Sequence, residues 1–131
     1  MTCRSTMQQR SPTVVSSRTL KGIKVAHTIV WALLAGCILA IPLVSWGGRH
    51  RAAAFLAAIV AVEVVVLALC HGSCPLTALA ARYTDDRRDN FDIYLPEWLA
   101  RNNKRIFGAL YLAGLAFALT RAVLFRERGP E

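Results

Sequence analysis

Three stretches of the chain are long enough to cross a bilayer and nearly free of charge, and this limits the fold more than any motif does. Val25 to Trp46, VAHTIVWALLAGCILAIPLVSW, is 22 residues without a formal charge; at about 1.5 Å rise per residue it covers a roughly 30 Å hydrocarbon core. Ala52 to His71 is 20 residues interrupted only by Glu63, and Ile106 to Phe125 is 20 residues with Arg121 close to its end, where a long side chain reaches the interface. Val60, Val62, Val64, Val65 and Val66 would favour a strand in water, but an unpaired strand cannot cross lipid, so the second stretch reads as a helix. The expectation is an all-α membrane protein with three transmembrane helices over 25–46, 52–71 and 106–125. The link Gly47-Gly48-Arg49-His50-Arg51 is so short that the first two form a hairpin. Pro42 predicts a bend near the end of the first.

The remaining segments are polar. Residues 1–24 are basic, rich in Ser and Thr and free of acids, which predicts a flexible tail. Residues 72–105 are too charged to span. There Thr77 to Tyr83 suits a short helix, and Phe91, Tyr94, Pro96 and Trp98 suit headgroup depth, so an interfacial segment is expected before the third span. Residues 126–131 form a short exposed tail. With 55% apolar residues in a chain of 131, several domains and extensive disorder are both excluded.

The chain holds 16 Lys+Arg against 8 Asp+Glu, a formal charge of +8. Each basic cluster flanks an apolar run, where it fixes topology and meets anionic headgroups, and this argues against nucleic acid as a partner. With the N-terminus inside, 11 of the Lys and Arg residues lie on the cytoplasmic side and 5 outside. That bias favours a cytoplasmic N-terminus and a periplasmic C-terminus in a bacterial inner membrane. Leu34-Ala35-Gly36-Cys37 matches a lipoprotein cleavage box, but the apolar ILAIPLVSW that follows is no polar tether, so Cys37 reads as a membrane-buried thiol.

Helices in lipid associate through small residues and a few polar contacts. Ala32, Gly36 and Ala40 in the first span, Ala53, Ala57 and Ala61 in the second, and Ala109, Ala113, Gly114 and Ala118 in the third offer such ridges. Three spans leave faces free for lipid or for other membrane subunits. Glu63 is the one acid inside a span, which marks an intramembrane polar contact with a partner, a neutral acid bonded to a neighbouring helix, or a proton-relay position. Ser45, Tyr111 and Thr120 are its candidate partners within the chain.

His27, Cys70, His71 and Cys74 fall at one membrane level and could converge as ligands of a zinc or copper ion, with His27 and His71 also the one pair placed to hold a haem. The competing reading is ordinary helix-terminus chemistry around Gly72 and Pro75. Asp85, Asp86, Asp89 and Asp92, alternating with Arg82, Arg87 and Arg88, read as a solvated face with local ion pairs. No nucleophile–base–acid set or phosphate-binding glycine loop is visible in the order of the residues.

Cys74-Pro75-Leu76-Thr77, directly after an apolar span, with Phe91-Asp92-Ile93-Tyr94-Leu95-Pro96 beyond it, resembles a family of small bacterial membrane proteins of unknown function that carry a Cys-Pro-Leu-Thr signature. The likeness covers about residues 52–100. The Leu-Glu pair which that family places soon after the signature has no counterpart in Ala78-Leu79-Ala80. The resemblance implies no activity, but it does imply that residues 73–96 form an ordered interfacial element. Taken together, these features lead to the expectation of a small accessory or assembly subunit of a larger membrane complex, acting by helix packing and not by catalysis. A metal- or haem-binding redox protein and a small oligomeric proton-coupled transporter built around Glu63 are the alternatives.

Overall fold

A computed structural model gives the fold and describes residues 17–128. It contains α1 (Ser17–Trp46), α2 (His50–Leu69), α3 (Pro75–Ala80) and α4 (Glu97–Glu127), with no strand among the described residues. The protein is all-α, and α1, α2 and α4 are each long and apolar enough to cross a membrane. Residues 1–16 and 129–131 of the expected tails lie outside the described residues.

Two of the expected boundaries are corrected. The first helix begins at Ser17, so 17–24 is helical and not part of a tail. Leu20, Ile23 and His27 recur at spacings of three and four, one face of a helix. Ile23 is buried against Ala80 and Phe91, with Leu20 packed on the same cluster. The third long helix begins at Glu97, nine residues before its apolar run. Glu97 in the first turn complements the helix dipole, and Arg101 pairs with it one turn later at 3.3 Å and with Asp89 at 3.0 Å.

The chain divides into two compact units, one taking residues up to Trp31 with Val64–Arg101, the other Ala32–Glu63 with Asn102 onward. In the second unit, α1 stops in a left-handed cap. Gly48 has φ +74°, its N–H bonds to the carbonyl of Ser45, and that of Arg49 bonds to Val44, the paired closure that satisfies the last carbonyls of a helix. Only Gly47, Gly48 and Arg49 separate α1 from α2, and the two form the expected hairpin. Ile38, Ile41 and Ser45 on α1, Ala53 and Val60 on α2, and Gly114 on α4 are buried there. The α1–α4 contact ends with Arg121, whose guanidinium donates to the Trp46 carbonyl at 3.0 Å and lies over the Trp46 ring. A cation at a helix C-terminus is well placed by the dipole.

The first unit joins the start of α1 to the segment that follows α2. α2 closes on His71, in the left-handed region at φ 55°, with the Gly72 N–H reaching back to Leu67. Pro75 opens α3 at a position where its missing N–H costs nothing. Beyond α3, Phe91, Asp92, Ile93 and Leu95 are all buried, while Tyr94 and Trp98 are exposed.

Candidate functional site

The polar centre of the first unit is built around His27, the third residue of the apolar run of α1. Its Nδ1 lies 3.0 Å from Asp92 Oδ2. The ring N–H does not point along that vector, so charge, more than an aligned hydrogen bond, holds the pair when the ring is protonated. The Thr77 hydroxyl of α3 donates to the same carboxylate oxygen, and the Cys74 side chain lies beside His27. One residue further along α1, the Thr28 hydroxyl donates to the Lys24 carbonyl at 2.7 Å and accepts the Tyr94 backbone N–H at 3.0 Å. The Lys24 ammonium lies over the Tyr94 ring. Residues 91–95 are thus fastened to α1 by a carboxylate, a backbone hydrogen bond, a cation–π contact and apolar burial.

Asp92 is 4% exposed, which corrects the expectation that it belongs to a solvated acidic face. Burial alone would push its carboxyl up; the His27 and Thr77 side chains beside it outweigh burial and hold it below its ordinary 3.8. Asp86 is at the surface as expected, drawn down to about 2 by hydrogen bonds from Arg88. A cavity of about 350 Å³ in the same unit is lined by Lys24, Asp86, Arg88, Asn90, Tyr94 and the apolar Phe91, Ile93, Leu95 and Pro96, and by none of His27, Cys74 and Asp92.

The expected four-ligand metal set does not assemble. His27 and Cys74 meet, but Cys70 is disulfide-bonded and offers no thiolate, and His71 is exposed in the left-handed cap of α2. Among the described residues no group of three His, Cys, Asp or Glu could hold a metal ion. Of the expected His27–His71 haem pair, His27 lies against Asp92 and His71 is exposed.

Glu63 is half-buried and has no hydrogen bond or ion pair among the described residues. Its expected partners are engaged elsewhere: Tyr111 donates to the Ala57 carbonyl at 2.9 Å and Thr120 to Ala116 at 2.8 Å. Ser45 is fully buried with its hydroxyl unpaired. Of the expected packing residues, Gly114 and Ala53 are buried, Ala40, Ala57 and Ala118 are half-buried, and Ala32, Gly36, Ala61, Ala109 and Ala113 are exposed. Cys37 is a free, half-buried thiol. Comparison with known protein families, curated proteins and solved structures finds no match.

Proposed function

We propose that this chain is an accessory or assembly subunit of a larger complex in the inner membrane of a bacterium, acting through helix packing. The observation that carries this reading is Glu63. An ionisable group in mid-span is costly unless it is neutral or paired, and the described residues supply it with no partner, so a neighbouring subunit is the natural source. On α2 Ala61 is exposed, and on α1 Ala32 and Gly36 are exposed, small residues of the kind that let a second backbone approach. A Cβ added at Gly36 meets nothing within 4 Å, so Gly36→Leu tests the outer face without disturbing the chain's own packing. In mild detergent the native protein is expected to co-purify with other membrane subunits. Glu63→Leu and Gly36→Leu should each release them while leaving the melting temperature unchanged. A monodisperse lone monomer from native membranes would refute the reading.

The orientation proposed with it places the N-terminus in the cytoplasm, from the 11-to-5 distribution of Lys and Arg. The Cys70 disulfide favours the opposite assignment, since disulfides persist in oxidising compartments. The charge bias acts on the chain as it inserts and is taken as the guide to orientation. A membrane-impermeant maleimide should therefore label Cys74 in inverted vesicles and spare it in spheroplasts; labelling confined to spheroplasts reverses the topology.

A further inference from the structure

We propose that the cavity between Lys24 of α1 and residues 86–96 is a binding site for the phosphodiester of an anionic phospholipid headgroup. This goes beyond the packing role and does not depend on it. Lys24, in the lining, is the last cation before the 22 uncharged residues that start at Val25, which sets the cavity at headgroup depth. Tyr94 in the lining and Trp98, two residues past Pro96, are exposed, as aromatic side chains at that depth are. The wall is set by the chain itself. Phe91, Ile93 and Leu95 are buried, the Tyr94 N–H is fixed on Thr28, and Asn90 Nδ2 donates to the Leu95 carbonyl at 3.2 Å. A preformed wall lowers the ordering cost of binding. A volume of about 350 Å³ is at the small end of ligand pockets, room for a headgroup and not for acyl chains. Val25 and Ile29, one turn apart on α1, are 49% and 54% exposed and offer those chains an apolar track into the bilayer.

Charge selects the ligand. Among the described residues that line the cavity, Lys24 and Arg88 are the cations and Asp86 the one anion, a net charge of +1. A phosphodiester carries one negative charge and matches it, whereas a phosphate monoester brings about −1.5 to −2. The two cations are available in different ways. The Lys24 ammonium rests over the Tyr94 ring at 5.5 Å and has no ion pair among the described residues. Arg88 gives Nε and Nη2 to Asp86, which fixes the guanidinium plane and leaves Nη1 for a phosphate oxygen. Both Asp86 oxygens are taken by Arg88, Oδ1 by the backbone N–H at 3.0 Å and Oδ2 by Nη2 at 2.8 Å, so a lipid ammonium finds no open acceptor there. A choline or ethanolamine headgroup would also set its own cation against Lys24 and Arg88. The site therefore discriminates anionic from zwitterionic lipids.

The test is native mass spectrometry of the full chain in detergent, titrated with dioleoylphosphatidylglycerol or dioleoylphosphatidylcholine, with inorganic phosphate as competitor. The first phosphatidylglycerol is expected to bind more tightly than the first phosphatidylcholine. Lys24→Gln and Arg88→Gln should each weaken it about fivefold, the usual worth of one cation at a membrane surface, and leave phosphatidylcholine unchanged. Lys24→Arg keeps the charge and should keep the affinity, a rescue that separates binding from loosening of the fold. Asp86→Asn keeps an acceptor for Arg88 and should tighten phosphatidylglycerol binding. Lys21→Gln is the control, since it removes the same charge one turn earlier on α1 from an exposed residue outside the lining. In solution, phosphatidylglycerol should raise the melting temperature of the native chain more than phosphatidylcholine does, and Lys24→Gln should abolish the difference. Equal affinity for the two lipids overturns the proposal. So does an equal loss from Lys21→Gln and Lys24→Gln, the mark of a diffuse basic surface. Displacement of the bound lipid by millimolar inorganic phosphate assigns the cavity to a soluble anion and overturns the lipid assignment.

Discussion

Asp92→Ala is expected to free residues 91–96 from α1 and to destabilise the first unit by about 3–5 kcal/mol, the usual result of removing one partner from a buried ion pair. The size of the effect follows from what is left behind. His27, with a side chain only 14% exposed, loses its counter-charge, and the Thr77 hydroxyl loses its acceptor. Hydrogen exchange should show the change where it arises, with the Tyr94 amide losing protection because its acceptor, Thr28, no longer faces a docked segment. The native protein carries the same dependence on pH. The folded Asp92 carboxyl titrates below its ordinary 3.8, so its contribution is fully present above that value and disappears as the pH falls through the lower folded value. Acid melting of the native chain should therefore steepen below about pH 4, and Asp92→Ala should remove that component. An unchanged acid limb in the variant would show that the carboxylate does not fasten the segment.

The long helices were legible because span length and missing charge are properties of contiguous sequence, and no packing is needed to read them. Their polar ends were not. Arg18, Lys21 and Lys24 make the start of α1 look like a tail, although Leu20 and Ile23 supply a buried face between them. The first turns of α4, Glu97 to Arg105, are charged and yet helical, because Glu97, Arg101 and Asp89 pair along the surface. The polar site was legible only in part. His27 and Cys74 stand out as chemically reactive types at one level, whereas Asp92 is hidden in a run of surface carboxylates. The distinguishing signal was local: Asp92 alone of the four has Phe91 on one side and Ile93, Tyr94 and Leu95 on the other. A carboxylate inside an apolar stretch needs a partner, and the one histidine in the first span was the candidate. Cys70 and His71 could not be separated from the site by spacing, since the left-handed turn at His71 reverses the chain just after α2.

Gly114 is where the second unit is most exposed to a single substitution, and the outcome is expected to depend on branching more than on size. A Cβ at this position would sit 3.6 Å from Ile41 Cγ2, 3.6 Å from Pro42 Cδ and 3.9 Å from the Ile38 carbonyl oxygen, ordinary contact distances. Ala therefore fits, and by relieving the helix of a glycine it should stabilise α4 by up to about 1 kcal/mol. The Ile38 carbonyl is the one that Pro42 leaves without its i+4 donor, and a methyl there shields it without displacing a hydrogen bond. Val carries two further methyls on a stiff χ1. An apolar groove of about 280 Å³ runs beside Gly114, between Leu110, Phe117 and Ile38, with room for one of them; the other is driven against Ile41 and Pro42. Overpacking of this kind costs about 1–3 kcal/mol, so Gly114→Val should lower the melting temperature in detergent while Gly114→Ala holds or raises it. Gly108→Val is the control, since a Cβ there meets nothing within 4 Å and β-branching alone should cost only a few tenths of a kcal/mol relative to Ala. If Gly114→Val melts with Gly108→Val, α1 and α4 do not touch at this glycine. If it melts well below while Ala does not, the contact at Pro42 is what sets the spacing of the two helices.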